Sequence, residues 1–225
     1  NTTLYARGAT LASSNGGNML KVGGDEDPVR GYGYQNITVD GGTWDAGGNS
    51  FTMMKVCHVK NFLLCNATMK NCKNAHMVEM AGADGVKIYN CSFKDHVNNY
   101  KSRATEVIQI DILENHHING YQYLDQEMDL LCKNVTVDKC TFTNCSRGVG
   151  SHTQVIGRYF ENIRITNNVF TNLKDVAICC RSYKNSVVIG NKVSTDATAL
   201  EVCNISVEGN GAFVSRSTPS ISKNV

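Results

Sequence analysis

Six short phrases recur along this chain at a spacing that few folds accommodate. They are Asn36-Ile37-Thr38-Val39, Asn61-Phe62-Leu63-Leu64, Gly85-Val86-Lys87-Ile88, Asn134-Val135-Thr136-Val137, Asn162-Ile163-Arg164-Ile165 and Ser186-Val187-Val188-Ile189. The steps between them are 25, 24, 49, 28 and 24 residues, and the long step reads as two coils with extra loop. Five residues after the end of the first five phrases comes one large apolar side chain: Trp44, Met69, Phe93, Phe142 and Phe170. A second strand also recurs, as in Met77-Val78-Glu79-Met80 and Ala199-Leu200-Glu201-Val202. One such repeat cannot bury its own apolar face, so neighbouring repeats must stack. Parallel strands stack about 4.8 Å apart, which turns equal positions of successive repeats into columns. The expected fold is all-β: a single-stranded right-handed parallel β-helix, a solenoid with a period of about 25 residues and about seven coils or more. A leucine-rich repeat needs a Leu-x-x-Leu-x-Leu pattern that this chain lacks, and a β-sandwich gives no such constant columns.

Other features bound the reading. Residues 1–225 are taken as one β-helix domain, a piece of a longer secreted protein, with irregular first coils around Thr3-Leu4-Tyr5 and Met19-Leu20-Lys21-Val22. The net charge of +2, with no Lys/Arg-rich run, gives no reason to expect nucleic acid. No apolar stretch approaches the roughly 20 residues of a membrane-spanning helix. Ten cysteines would suit a disulfide scaffold, but Cys65, Cys72, Cys91, Cys140 and Cys145 fall at repeat positions, which reads as buried free thiols. Cys91 and Cys140 are expected two coils apart, too far to pair. Seven Asn-x-Ser/Thr sequons, among them Asn36, Asn66 and Asn134, read as strand starts rather than glycan acceptors.

The repeat is interrupted twice, at 95–105 and 113–131, on either side of Glu106-Val107-Ile108-Gln109-Ile110-Asp111-Ile112. Loops on a rigid scaffold are where binding and catalysis concentrate. In this strand Ile108, Ile110 and Ile112 are expected in the core, with Gln109 and Asp111 on the outer side. Glu106 lies at the corner where alternation resets, so its direction is open.

The columns resemble the right-handed parallel β-helix proteins of the pectate-lyase-like group. The phrases at Asn36–Trp44, His76–Gly82, Glu106–Ile112 and Gly148–Thr153 look like those of secreted β-helix proteins from gut bacteria. Some of those are similar to glycoside hydrolases, including the lacto-N-biosidase family. The Asn-Thr-Asp, Asp-Asp and Gly-His-Gly motifs of polygalacturonases are absent, as is the signature of calcium-dependent pectate lyases. The resemblance implies an extracellular or cell-surface protein of a bacterium with an oligo- or polysaccharide as its partner.

The outer side of the second strand collects acid, amide, imidazole and guanidinium groups at Glu79, Gln109, Asp111, His152, Arg181 and Glu201. Glycosidic cleavage uses two carboxyl groups. Asp111, Glu79 and Glu106 are therefore the catalytic candidates, while Gln109, His152, Arg181, Tyr121 and Tyr123 are the substrate-binding ones. The loop acids Asp95 and Asp125 stand behind them. No cofactor and no metal are expected: Cys-x₂-Cys never occurs, and adjacent His116 and His117 would point apart. The main reading is a glycoside hydrolase. The alternatives are a non-catalytic carbohydrate-binding adhesin or phage-type receptor-binding β-helix, and a polysaccharide lyase.

Overall fold

The computed structural model describes residues 1–22, 29, 31–99, 105–113, 130–155, 158–203, 213–214 and 221–222. Of 154–155, 203, 213–214 and 221–222 it describes the backbone alone. Tyr100, Tyr121, Tyr123, Asp125, His116 and His117 lie outside the described residues.

The chain is a parallel β-helix. Seven short strands stack in chain order on one face: Thr10–Ala12, Thr43–Asp45, Thr68–Lys70, Ser92–His96, Thr141–Cys145, Val169–Thr171 and Lys192–Ser194. The other two faces are wound by one continuous sheet. Its strands Met54–Cys65 and Val78–Tyr89 run round the edge between those faces, which they turn at His58 (φ 54°) and Gly82 (φ 58°). Parallel crossovers take the right hand.

Registers follow the repeat except at its last phrase: Ile165 pairs with Val188, so Ser186-Val187-Val188-Ile189 is one residue out of step with Asn162-Ile163-Arg164-Ile165. Leu11, Trp44, Met69, Phe93, Phe142, Phe170 and Val193 form one inward column. Phe93 stacks on Phe142 at 5.0 Å between ring centroids, and Phe142 on Phe170 at 4.6 Å. Offset-stacked rings contribute beyond the area they bury. Opposite them, Met54, Val78, Ile108, Val149, Ile178 and Leu200 make a second column.

Asparagine shapes the corners. Asn36, Asn61, Asn134, Asn162 and Asn185 occupy equal corner positions and all have positive φ, as does Gly85 in the same column. A turn of this kind needs a left-handed residue, which only Gly and, next, Asn adopt at low cost. The Asn side chains then bond from coil to coil. Asn61 Nδ2 donates to Asn36 Oδ1 at 2.9 Å, Asn90 Nδ2 to Asn66 Oδ1 at 2.8 Å, and Asn172 Nδ2 to Asn144 Oδ1 at 2.8 Å. Sequon residues Asn66 and Asn134 have their amide nitrogens on Asp40 and Asp84, so they serve the ladder.

A larger expectation is corrected. The 49-residue step is a single coil, because Val86 pairs directly with Val135 and Ser92 with Thr141. Both insertions belong to that coil and lengthen it without adding a rung. Cys91 and Cys140 are consequently on adjacent coils, with Thr141 N donating to Cys91 O at 2.9 Å, and not two coils apart. Both are free thiols, as are Cys57, Cys65, Cys72, Cys132, Cys145, Cys179 and Cys180. All of these but Cys65 are buried. Burial pushes Cys72, Cys132, Cys145 and Cys180 up to about 12, so they stay protonated and unreactive at neutral pH.

Candidate functional site

The strand Glu106–Leu113 is buried over its whole length, outer side chains included. Its register is the expected one: Ile110 lies beside Met80, Gln109 beside Glu79 on one side and Gly150 on the other, and Asp111 beside Ala81. Gly150 is required there. A Cβ on it would lie 2.5 Å from the Cys179 carbonyl oxygen and 2.6 Å from the Cys179 Cβ.

Around this strand runs a chain of polar side chains drawn from three coils. Arg147 Nε donates to Asp175 Oδ2 at 2.5 Å, and its Nη1 to Glu106 Oε1 at 3.2 Å. The other oxygen, Glu106 Oε2, takes a hydrogen bond from His152 Nδ1 at 2.8 Å. His152 Nε2 is 3.1 Å from Gln109 Nε2, and that amide also donates to Asp111 Oδ2. Asp111 further accepts from Thr153 Oγ1 at 3.2 Å and from the Ile112 backbone N–H at 2.8 Å.

Two further histidines abut the chain. The His76 ring stacks on that of His152 at 5.8 Å, and His76 Nδ1 donates to the Glu106 carbonyl oxygen at 2.6 Å. His96 Nε2 donates to the Ala75 carbonyl oxygen at 2.7 Å. Among the described residues, His96 Nδ1, Thr105 Oγ1 and Gln109 Oε1 are buried without a hydrogen-bond partner.

The electrostatics separate these groups. Burial alone would push Glu106 up. The charge and hydrogen bond of His152, with His76 and Arg147, outweigh it and hold Glu106 well below the ordinary carboxylate range. Burial lowers His76, and it brings His96 down to about 4.

The remaining candidates fall into two groups. Arg181 Nη2 donates to Glu201 Oε1 at 2.8 Å, a nearly buried ion pair, with Arg181 Nε also on Cys179 Sγ at 3.4 Å. Glu79 is half-buried and flanked in register by Lys55 and Gln109. Asp95 is exposed at a corner (φ 57°), accepting from Asn144 Nδ2 at 3.1 Å. It borders an open groove of about 640 Å³ that Asp45, Asn71, Lys73 and Asn99 also line.

The structure thus brings Glu106, Gln109, Asp111 and His152 together, while Arg181 pairs with Glu201, Glu79 stands in register beside Gln109 and Asp95 sits at a separate corner. Sequence reading missed His76 and Arg147. Both lie in the Glu106 column, Arg147 as its direct register partner and His76 by extending the strand pairing two residues. Neither belongs to a recurring phrase. The single available signal was two polar residues directly preceding an inward strand, at His76 and at Arg147.

No protein-family model matches the chain, and no curated protein is similar to it. Among solved structures, PfbA, a surface adhesin of Streptococcus pneumoniae, superimposes with a TM-score of 0.61 at 20% identity, over 76% of this chain and 44% of the PfbA chain. A second PfbA structure gives 0.61 at 19% identity, over 71% and 44%. The chain thus spans less than half the length of the PfbA chains it matches, and at this identity the likeness is one of fold.

Proposed function

We propose that this chain is a non-catalytic, carbohydrate-binding β-helix of a bacterial cell-surface adhesin. One observation carries the reading: the acids best placed for catalysis have their oxygens committed to the protein itself. Glu106 is 0% exposed between Arg147 and His152, and Asp111 is 0% exposed among Gln109, Thr153 and its neighbour's amide. A glycosidase needs one carboxyl raised so that it can donate a proton. Glu106 is instead driven down. The surface character of PfbA, a protein of the same fold, supports the assignment.

The groove beside Asp95 has the chemistry that such a role requires. Carboxylate, amide and ammonium groups at Asp45, Asn71, Lys73, Asp95 and Asn99 match the donors and acceptors of sugar hydroxyls. The test is a glycan array probed for binding, with each hit incubated and its product weighed by mass spectrometry. Retained binding with unchanged glycan mass, weakened by Asp95→Ala or Lys73→Ala, is the expected result. Turnover would overturn it.

A glycoside hydrolase is the second reading, favoured by the Glu79–Gln109 register. That register puts the Glu79 and Asp111 Cα atoms about 8 Å apart, from one strand spacing and two residue rises. Carboxyls at roughly 6.5–9.5 Å suit inversion. On that reading the product gains one water, and Asp111→Asn removes turnover while leaving the fold intact.

A further inference from the structure

We infer that His76, Glu106 and His152 form a binding site for a divalent transition-metal cation of the zinc class. One ligand atom from each of the three lies within 4.8 Å of the others, and all three residues are buried. Zinc holds imidazole nitrogen and carboxylate oxygen at about 2.0–2.2 Å, so closing on an ion needs movements of an ångström or so in three side chains.

The surroundings are arranged as a metal site requires. His76 donates its Nδ1 proton to a strand carbonyl at 2.6 Å, which fixes the ring and leaves the Nε2 lone pair free to ligate. His152 Nδ1 and Glu106 Oε2 share one proton at 2.8 Å. A cation takes the place of that proton between the same two atoms, while His152 Nε2 carries a proton toward the Gln109 amide, so the ring binds as a neutral imidazole. The Arg147 guanidinium bonds to the opposite oxygen of Glu106 and orients the carboxylate without covering the His152 side.

A further feature points the same way, Gln109 Oε1. Gln109 is 2% exposed, and this oxygen has no partner among the described residues, although the nitrogen of the same amide is 3.1 Å from His152. A buried carbonyl without a donor is costly, and the amide turned over accepts at Oε1 from the Nε2–H that a cation on Nδ1 leaves on His152. The ligands come from three coils of the solenoid, so no local spacing motif announces them.

Cobalt(II) tests the site, because its spectrum separates nitrogen and oxygen ligation from binding to the chain's many thiols. The full chain is stripped with a chelator, desalted and titrated with cobalt alone, then with competing zinc. The expected result is one cobalt per chain, visible d–d absorption without a thiolate charge-transfer band, and displacement by one equivalent of zinc. His76→Asn retains a side-chain donor near the Nδ1 position and removes the ligating Nε2, and His152→Phe keeps a ring and removes the ligating Nδ1. Each should weaken binding at least about 100-fold, the upper end of what losing a mere supporting contact costs. Circular dichroism on the same samples establishes that the variants are folded; if either is not, Glu106→Gln provides the same comparison. No stoichiometric uptake, a thiolate band, or unchanged affinity in the folded variants would each overturn the assignment.

Discussion

The phenylalanine column and the polar chain around Glu106 cross the same coils, and both are buried, yet they are built by opposite rules. Phe93, Phe142 and Phe170 are one position repeated, and each ring rests on a copy of itself 4.6–5.0 Å away. Glu106, His152, Gln109 and Asp111 repeat nothing; every contact joins unlike groups, His152 reaching Glu106 and Gln109 from the next coil and Gln109 reaching Asp111 along its own strand. Repetition makes an apolar column stable because each layer solves the same packing problem. A buried polar chain gains nothing from repetition, since like charges would then face each other at about 4.8 Å. It must be specified residue by residue, and desolvation makes it costly to maintain for stability alone. The outer ladder shows the constraint in milder form: Asp84, Lys133, Glu161 and Lys184 alternate in sign up the stack.

The comparison breaks most visibly at Phe142. Its ring has a neighbour above and below and is 0% exposed. Phe142→Ala is expected to destabilise the fold by about 3–5 kcal/mol, as large-to-small changes in packed cores do. Urea denaturation followed by far-UV circular dichroism measures it. A midpoint equal to that of the parent protein would mean that the column is not the core of the solenoid.

Glu106→Gln probes the other rule. The side chain keeps its shape but loses its charge, so Arg147 is left with Asp175 and His152 loses its anionic acceptor. Breaking a buried pair from one side costs about 3 kcal/mol when the remaining charge has some compensation, the low end of the usual range. Pairing the change with Arg147→Met should recover part of that loss, whereas adding Phe142→Ala should simply add to it. Recovery of the same size with Phe142→Ala would show that the two regions are not independent.

How much of this is legible in the sequence follows from the same contrast. The columns from Trp44 to Phe170, the Glu79–Gln109 register and the corner asparagines all repeat, and repetition is visible in a string of letters. The 49-residue step was misread because added loop and an added coil lengthen a chain alike, and only the pairing of Val86 with Val135 separates them. At Gln109 and Asp111 alternation correctly gave the outer side of the strand, but it carries no information about what covers that side. At Glu106 the corner resets the alternation, so its partners His152 and Arg147, some forty residues away, left no local trace.

The smallest expected effect tests whether the corners obey the column rule too. Lys139 stands at φ 55° where Asn66, Asn90 and Asn167 stand in neighbouring coils, all left-handed. A lysine gains nothing from that backbone conformation. Its ammonium is 5.5 Å from the Tyr89 ring centroid and 3.5 Å from the Tyr89 hydroxyl, contacts made at the exposed surface. Such surface contacts are worth a few tenths of a kcal/mol up to about 1. Lys139→Asn restores a residue that tolerates the left-handed region and returns an amide to the ladder between Asn90 and Asn167. The expected net gain is about 0.5–1 kcal/mol. Lys139→Gly relieves the backbone without supplying an amide, so the difference between the two variants isolates the ladder bond. Thermal melts of the three proteins should rank Asn above Gly and Gly at or above Lys. If Gly matched Asn, the corner asparagines would be there for their backbone alone, and the coil-to-coil amide bonds would contribute nothing to holding the solenoid together.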